Sequence, residues 1–285
     1  MLIAQITDLH IGFDRGNPHE MNVRRLTTAI DQLYGMIPGV DLLIVSGDLV
    51  ENGEDMDAYR HMRALVARWT GPTLFAVGNH DDRANFRKAF PEVPTDENGF
   101  IQYDVTHGPL RFLVLDTLDE GRHGGMLCEK RSQWLADRLA ERTGDPTVIV
   151  LHHPPVDTGI SWMSALSCER WVQRLQSVVE PATQVVSIIA GHVHRPIATT
   201  FAGKPLSVCA STAPWLALDL DPIDPGSPDG RPLIVGNGPA YALHYWNDER
   251  MLTHYDVAGP RDVLASYDMK IQPMIRDFIS ERGTG

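Results

Sequence analysis

Through its first two-thirds the chain alternates short, continuously apolar runs with stretches whose apolar residues recur every three or four positions. The runs at 2–7, 42–46, 73–77, 147–151 and 185–190 predict buried strands. Asn22 is placed to cap a helix carrying Val23, Leu26, Ile30, Leu33 and Tyr34 on one face, stopped by Pro38-Gly39. Met56, Tyr59, Met62, Val66 and Trp69 mark a second helix, closed by Gly71-Pro72. Short helices are expected at 83–90, around Trp134, Leu135 and Leu139, and at 167–180, where Trp171, Leu175, Val178 and Val179 share a face. Residues 100–105 and 110–115 look like a hairpin turned at Gly108-Pro109. Pro154-Pro155 forbids a helix directly after the fourth run.

The last third has another pattern. Strands are predicted at 206–211, 240–246 and 251–257, around an Asp-, Pro- and Gly-rich loop at 219–232. Residues 261–285 suggest a short helix and a frayed tail. Alternating strands and helices imply an α/β fold, and the β-rich end implies a second sheet packed on the first. The expected architecture is a four-layer α/β/β/α sandwich of two mixed sheets flanked by helices. Residues 1–200 would form the core. Residues 201–285 would complete the second sheet and supply an active-site loop and an association segment, with Tyr241, Leu243, Tyr245 and Trp246 as candidate interface residues.

Composition narrows the choice of function. The 285 residues are 43% hydrophobic, enough for a sizeable core, and carry a net charge of -12. That balance disfavours a polymeric nucleic-acid partner, which needs a basic stripe. An acidic protein handling an anionic substrate needs local positive charge, which bound metal ions can supply. Cys128, Cys168 and Cys209 are sparse and odd in number, as in a reducing cytoplasm. The N-terminus lacks the layout of a secretory leader, and no run approaches the roughly 18 apolar residues of a membrane span.

The chemistry lies at the strand ends. The first run leads into Asp8 and His10, and the second into Gly47-Asp48. The third leads into Gly78-Asn79-His80-Asp81, the fourth into His152-His153, and the fifth into Gly191-His192-Val193-His194. In open α/β sheets the ligand site lies outside the carboxyl ends of the strands. Asp8 and His10, two apart on an extended backbone, would point to one side. Imidazole with carboxylate suits Zn, Fe or Mn better than Ca or Mg. Asp8, His10, Asp48, Asn79, His152, His192 and His194 are more donors than one four-coordinate ion needs, and Asp48 has two oxygens with which to bridge two ions. Paired metal ions serve phosphoryl-ester hydrolysis: they neutralise the phosphate and lower the pKa of water toward about 7.

Taken in order, Asp8-x-His10, Gly47-Asp48, Gly78-Asn79-His80-Asp81, His152 and Gly191-His192-x-His194 resemble the five blocks of the calcineurin-like metallophosphoesterases, over about residues 1–196. Gly-Asn-His-Asp-Asp and His-His-Pro-Pro resemble the class III cyclic nucleotide phosphodiesterases and the related glycerophosphodiesterase. The resemblance implies that Asp8, His10 and His194 hold one metal ion, that Asn79, His152 and His192 hold a second, and that Asp48 bridges them. It implies that His80 protonates or stabilises the leaving group, and that the substrate is a small phosphodiester with no membrane partner. It also implies association through C-terminal segments, as a homodimer or larger. Asp81 is expected to orient an imidazole and His153 to serve as a structural hydrogen-bonder. Arg15, His19 and His123 lie in loops that could border the site, though ordinary solvated surface is the favoured reading of each. The acidic stretch from Glu51 to Asp57 looks like a solvated helix start.

Overall fold

The computed structural model describes residues 1–36 and 39–282. The expected stop at Pro38 and the last three residues of the tail lie outside the described residues. In chain order the first half comprises β1 (Leu2–Ile6), α1 (Met21–Tyr34), β2 (Leu42–Ser46), α2 (Met56–Val66), β3 (Thr73–Ala76) and α3 (Arg83–Ala89). Then come β4 (Tyr103–His107), β5 (Leu110–Val114), α4 (Glu129–Glu141), β6 (Thr147–Val150), α5 (Arg170–Val179) and β7 (Val185–Ala190). The last third adds β8 (Ile197–Phe201), β9 (Lys204–Val208), β10 (Trp215–Leu216), β11 (Ile234–Val235), β12 (Ala240–Trp246), β13 (Met251–Val257) and α6 (Gln272–Ser280).

Two mixed sheets form, ordered β13-β12-β1-β2-β3 and β4-β5-β6-β7-β9-β8, with β10-β11 as a small separate ribbon. Period-2 alternation assigns each strand's side chains to opposite faces. Ile3, Leu42, Ile44, Leu74 and Ala76 face Phe112, Val114, Val148, Val150 and Ile189 across the sandwich. Their neighbours Ala4, Leu43, Val45 and Phe75 pack against the first three helices, and Leu113, Ile149 and Ile188 against α4 and α5. The result is the four-layer α/β/β/α sandwich. Strands buried on both faces read as unbroken apolar runs, which is why five of them were visible in sequence.

Polar groups stitch the sheets together beneath the rim. Gln5 Nε2 donates to Ser46 Oγ at 2.7 Å and to the Ala190 carbonyl of the other sheet at 2.8 Å. His244 Nε2 donates to Gln5 Oε1 at 3.1 Å, while its Nδ1 accepts from Thr253 Oγ1 at 2.9 Å. Both imidazole nitrogens are thus used by a neutral ring.

Several expectations change. The cap of α1 is Glu20, whose side chain turns back to Gly12 N at 2.6 Å; Asn22 lies inside the helix and donates to the His10 carbonyl at 2.9 Å. α2 ends at Val66, and Trp69 packs beyond it in the same core. The first hairpin begins at Tyr103; Phe100 lies off the strand under the guanidiniums of Arg83 and Arg131. A second hairpin, β8-β9, precedes the expected strand at 206–211, turned by Ala202 and Gly203 at φ 50° and 73°. The strands at 240–257 join the first sheet beside β1, and β9 with β8 completes the second. Tyr241 and Trp246 are therefore buried in their own chain rather than offered to a partner. Among the described residues no helix is long and apolar enough to cross a membrane.

Candidate metal centre

β1, β2 and β3 of one sheet and β6 and β7 of the other end at the same rim. Hydrogen bonds lock the loops leaving them to one another. Asp8 N donates to the Gly47 carbonyl at 3.0 Å, His10 N to the Asp48 carbonyl at 3.1 Å, and Gly191 N to the His152 carbonyl at 3.0 Å. Asp8, His10, Asp48, His192 and His194 all sit at left-handed φ, between 47° and 72°. Only two other non-glycine residues in the described chain do so, Ala202 and Asp248. Side chains pay a steric cost there, so the surrounding structure must enforce the conformation. Asp8 and His10 thus converge through left-handed turns around buried Leu9, not through the extended backbone that their spacing suggested.

The structure brings the seven donors together. His10 Nε2 lies 3.1 Å from His194 Nε2, and Asp8 Oδ1 lies 3.4 Å from His194 Nε2. Asp48 Oδ2 is 3.3 Å from His152 Nε2 and 3.8 Å from His10 Nε2. Asp8, His10 and His194 form one cluster of candidate ligand atoms, Asp8, Asp48 and His152 a second, and His152, His153 and His192 a third. Asn79 Oδ1, His152 Nε2 and His192 Nδ1 are buried without a hydrogen-bond partner. Gly78 precedes Asn79 because a Cβ there would collide with Asp48 Oδ1 and His152 Nε2.

Tautomers decide what these atoms offer. His10 Nδ1 is 2.8 Å from Glu51 Oε2, His152 Nδ1 is 2.8 Å from the Ser46 carbonyl, and His194 Nδ1 is 2.9 Å from the Pro214 carbonyl. Each partner is an acceptor, so each Nδ1 carries the proton and each Nε2 of a neutral ring presents a lone pair. Two such lone pairs then face each other at 3.1 Å beside the Asp8 carboxylate. That arrangement repels itself unless a metal ion, or a proton on one ring, lies among the three atoms; burial alone would lower His194, yet the Asp8 carboxylate pushes it up. Outer partners of this kind are what orients metal-bound imidazoles, so the residues fit a metal centre.

Electrostatics agree. Burial pushes the Asp8 and Asp48 carboxyls up, yet facing imidazoles, His194 for Asp8 and His152 for Asp48, hold both below the ordinary carboxylate range. Burial, reinforced by neighbouring His152, drives His192 down to about 3, leaving it a neutral donor. His80 donates Nδ1–H to the Glu51 carbonyl at 2.8 Å, and its backbone N–H donates to Asp48 Oδ1 at 2.9 Å.

Among the neighbours, Asp81 and Glu51 are placed otherwise than expected. Asp81 touches no imidazole: its carboxylate accepts from Gly78 N at 2.8 Å, Leu49 N at 3.2 Å and Tyr59 Oη at 3.1 Å. It ties the loop after β3 to the loop after β2, and burial followed by the Asp48 charge raises it to about 7. His153 Nδ1 is 2.9 Å from Thr117 Oγ1, and its Nε2 is buried and unpartnered beside His152 and His192. Arg15 pairs with Asp55 at 3.5 Å, and neither it nor His19 lines the cavity; His123 does. Glu51, grouped with the solvated acidic stretch in sequence, instead holds His10; only its position three residues past Asp48 hinted at this.

The cavity over the donors holds about 580 Å³. Its far wall is apolar: Phe13, Met21, Trp162, Met163, Leu216 and Ile234. Loops 11–21, 51–57 and 116–128 line the cavity through Phe13, Met21, Glu51 and His123. The 219–232 loop does not; the β10-β11 ribbon that carries it does.

A two-sheet sandwich with carboxylate and imidazole pooled at its rim defines a metallophosphoesterase. The calcineurin-like phosphoesterase family matches residues 1–196, and the chain belongs to that family. It is 35% identical to a probable cyclic nucleotide phosphodiesterase of Rhodopseudomonas palustris over 199 residues, 69% of this chain and 72% of that one. It is 29% identical to a probable glycerophosphodiester phosphodiesterase of Arcobacter nitrofigilis over 261 residues, 89% of this chain and 91% of that one. In fold it is similar to a dimetal phosphatase of Danio rerio, with a TM-score of 0.65 and 16% identity over 90% of this chain and 95% of the other.

Proposed function

We propose that the protein is a dinuclear metal-dependent phosphodiesterase acting on small phosphodiesters, either cyclic nucleotides or glycerophosphodiesters. The observation that carries this reading is the convergence of lone pairs from His10, His194 and Asp8 on one point, with Asp48 between them and His152. Asp8, His10 and His194 would hold one ion, Asn79, His152 and His192 the other, and Asp48 both. The donor set favours Fe, Mn or Zn. When bound, the ions neutralise the phosphate and make water acidic enough to be a nucleophile near neutral pH.

The chain's own residues do the rest. Diester hydrolysis expels an alkoxide, which leaves poorly unless protonated. His80 has its Nδ1 tied to the Glu51 carbonyl, so Nε2 is the atom free to hand a proton to that oxygen in the cavity His80 lines. The apolar wall around Trp162 offers an uncharged surface to one arm of the substrate. The names of the relatives from Rhodopseudomonas palustris and Arcobacter nitrofigilis support the substrate class.

The test is a substrate panel on metal-reconstituted protein. Bis-p-nitrophenyl phosphate should be hydrolysed faster than p-nitrophenyl phosphate; the reverse order would make the protein a phosphomonoesterase. The panel adds 3′,5′-cyclic AMP, 2′,3′-cyclic AMP, glycerophosphocholine and glycerophosphoethanolamine. A metal content below one ion per chain under replete conditions would instead favour a non-catalytic interaction module. A cytoplasmic setting is supported by three free cysteines. A homodimer or larger is supported by the exposed apolar tail, where Leu264 is 95% and Met269 88% exposed. A monomer by light scattering would remove that part.

A further inference from the structure

Beside the metal cavity lies a second groove of about 750 Å³, between the 119–126 loop and the start of α5. We infer that this groove is an anion-binding extension of the metal centre, and that the preferred substrate is a small phosphodiester carrying a second phosphate on one arm. The inference rests on the phosphodiesterase reading above and narrows it.

Three arginines line the groove: Arg122, Arg170 and Arg174. In a chain of net charge -12 such a group runs against the overall balance. Some arginines elsewhere sit on carboxylates, as Arg83 and Arg131 do on Asp116 and Arg231 on Asp229, while Arg25 and Arg195 are held by backbone carbonyls, as Arg174 is by Leu127 at 3.3 Å. Among the described residues Arg170 and Arg174 pair with no carboxylate, and Arg122 reaches Asp119 only at 3.7 Å. The other carboxylate in the groove, Glu169, is already used: it accepts from Leu166 N at 2.7 Å and from Trp171 Nε1 at 2.8 Å.

The placement of Arg170 and Arg174 opposes stability. They lie four apart, on one helix face, at the beginning of α5. Like charges at that spacing repel, and cations at a helix N-terminus oppose the macrodipole. A bound anion would reverse both effects, and guanidinium is the side chain best shaped for phosphate.

The groove is joined to the metal centre. His123 lines both cavities, and its ring lies 6.4 Å from that of His80. The floor at Gly125 rests directly on His153, the neighbour of His152. A Cβ at Gly125 would stand 2.9 Å from His153 Cβ and 3.0 Å from Trp171 Cζ2. A diester seated with its scissile phosphate at the metal ligands can therefore extend one arm past His123 into the arginines. No lysine or arginine lines the metal cavity itself, whose opposite wall is apolar. The two ends of the site thus ask for different arms: an uncharged one toward Trp162, an anionic one toward Arg170.

The test compares binding of adenosine 3′,5′-bisphosphate and AMP to the metal-loaded protein by calorimetry. Bis-p-nitrophenyl phosphate hydrolysis is measured on the same preparation. The bisphosphate should bind roughly tenfold more tightly than AMP, the sum of a few partly exposed ion pairs. The gap should close in Arg170→Ala/Arg174→Ala and shrink as salt is raised. Equal affinities in the unmodified protein, or a gap that survives the double substitution, would overturn the inference. If the double variant does not fold, Arg122→Ala on the exposed loop must narrow the gap on its own. Failure to hydrolyse the diester while the affinity gap holds would sink the phosphodiesterase reading and leave the anion groove standing.

Discussion

The rim that gathers the metal donors and the tail that follows β13 are built on opposite terms. At the rim, strained left-handed residues are held by buried strands and by hydrogen bonds from neighbouring loops. In the tail, Val263, Leu264, Tyr267 and Met269 stand in solvent, and α6 buries none of its residues. Strain persists only where packing over-determines it. Exposed apolar surface persists where something else is meant to cover it. The rim is thus preorganised by its own chain, while the tail leaves its apolar side chains uncovered.

The largest effect should come from Asp48→Ala. It removes the carboxylate that lies between His10 and His152 and should abolish diester hydrolysis together with binding of at least one ion. Metal analysis of the purified variant decides this, and full occupancy would break the rim account. His80→Ala should keep its metal and lose on the order of 10²–10⁴ in turnover, most on alkyl diesters with poor leaving groups. An unchanged rate on such a diester would remove His80 from catalysis. Glu51→Gln retains an acceptor for His10 Nδ1 but not its charge. It should cost roughly 10–100-fold in metal affinity or activity, read by metal titration and by the split between kcat and KM. Glu51→Ala should cost more, since the tautomer of His10 is then unconstrained.

Beneath the rim, His244 gives a pH signature. Burial lowers its imidazole from 6.5 to about 3 in the folded chain. The unfolded chain therefore binds a proton that the folded chain refuses, and stability is lost as pH falls from about 6.5 toward 3. Tm should drop over that window, and the drop should be smaller in His244→Gln. Identical slopes would place the acid sensitivity elsewhere. The smallest effect on the rim should come from deleting residues 263–285. Turnover and metal content should hold, Tm should shift little, and light scattering should report a smaller species. A loss of metal would show that tail and rim are coupled after all.

The legible part of this protein was the part governed by local pattern. Strands such as β2 and β6, buried on both faces, announce themselves as apolar runs, and a polar residue directly after one is conspicuous. Asp8, Asp48, Asn79, His152 and His192 were visible for that reason. β8 was not, because Thr199 and Thr200 are solvent-facing residues of an edge hairpin with no apolar run to mark them. Glu51 and Trp162 were not, because each looks like ordinary loop until the fold brings His10 or the metal cavity to it.

The sequence by itself determined the α/β alternation, the donors and their order, since these follow from periodicity and from chemistry confined to strand ends. Tertiary structure alone decided which donors face each other, which imidazole nitrogen is free, that 240–257 closes the first sheet, and that three arginines share a groove beside the rim. Those outcomes depend on distances between residues far apart along the chain, 184 positions for His10 and His194 and 245 for Met1 and Trp246. No local pattern records such a distance; the packing of the two sheets sets it.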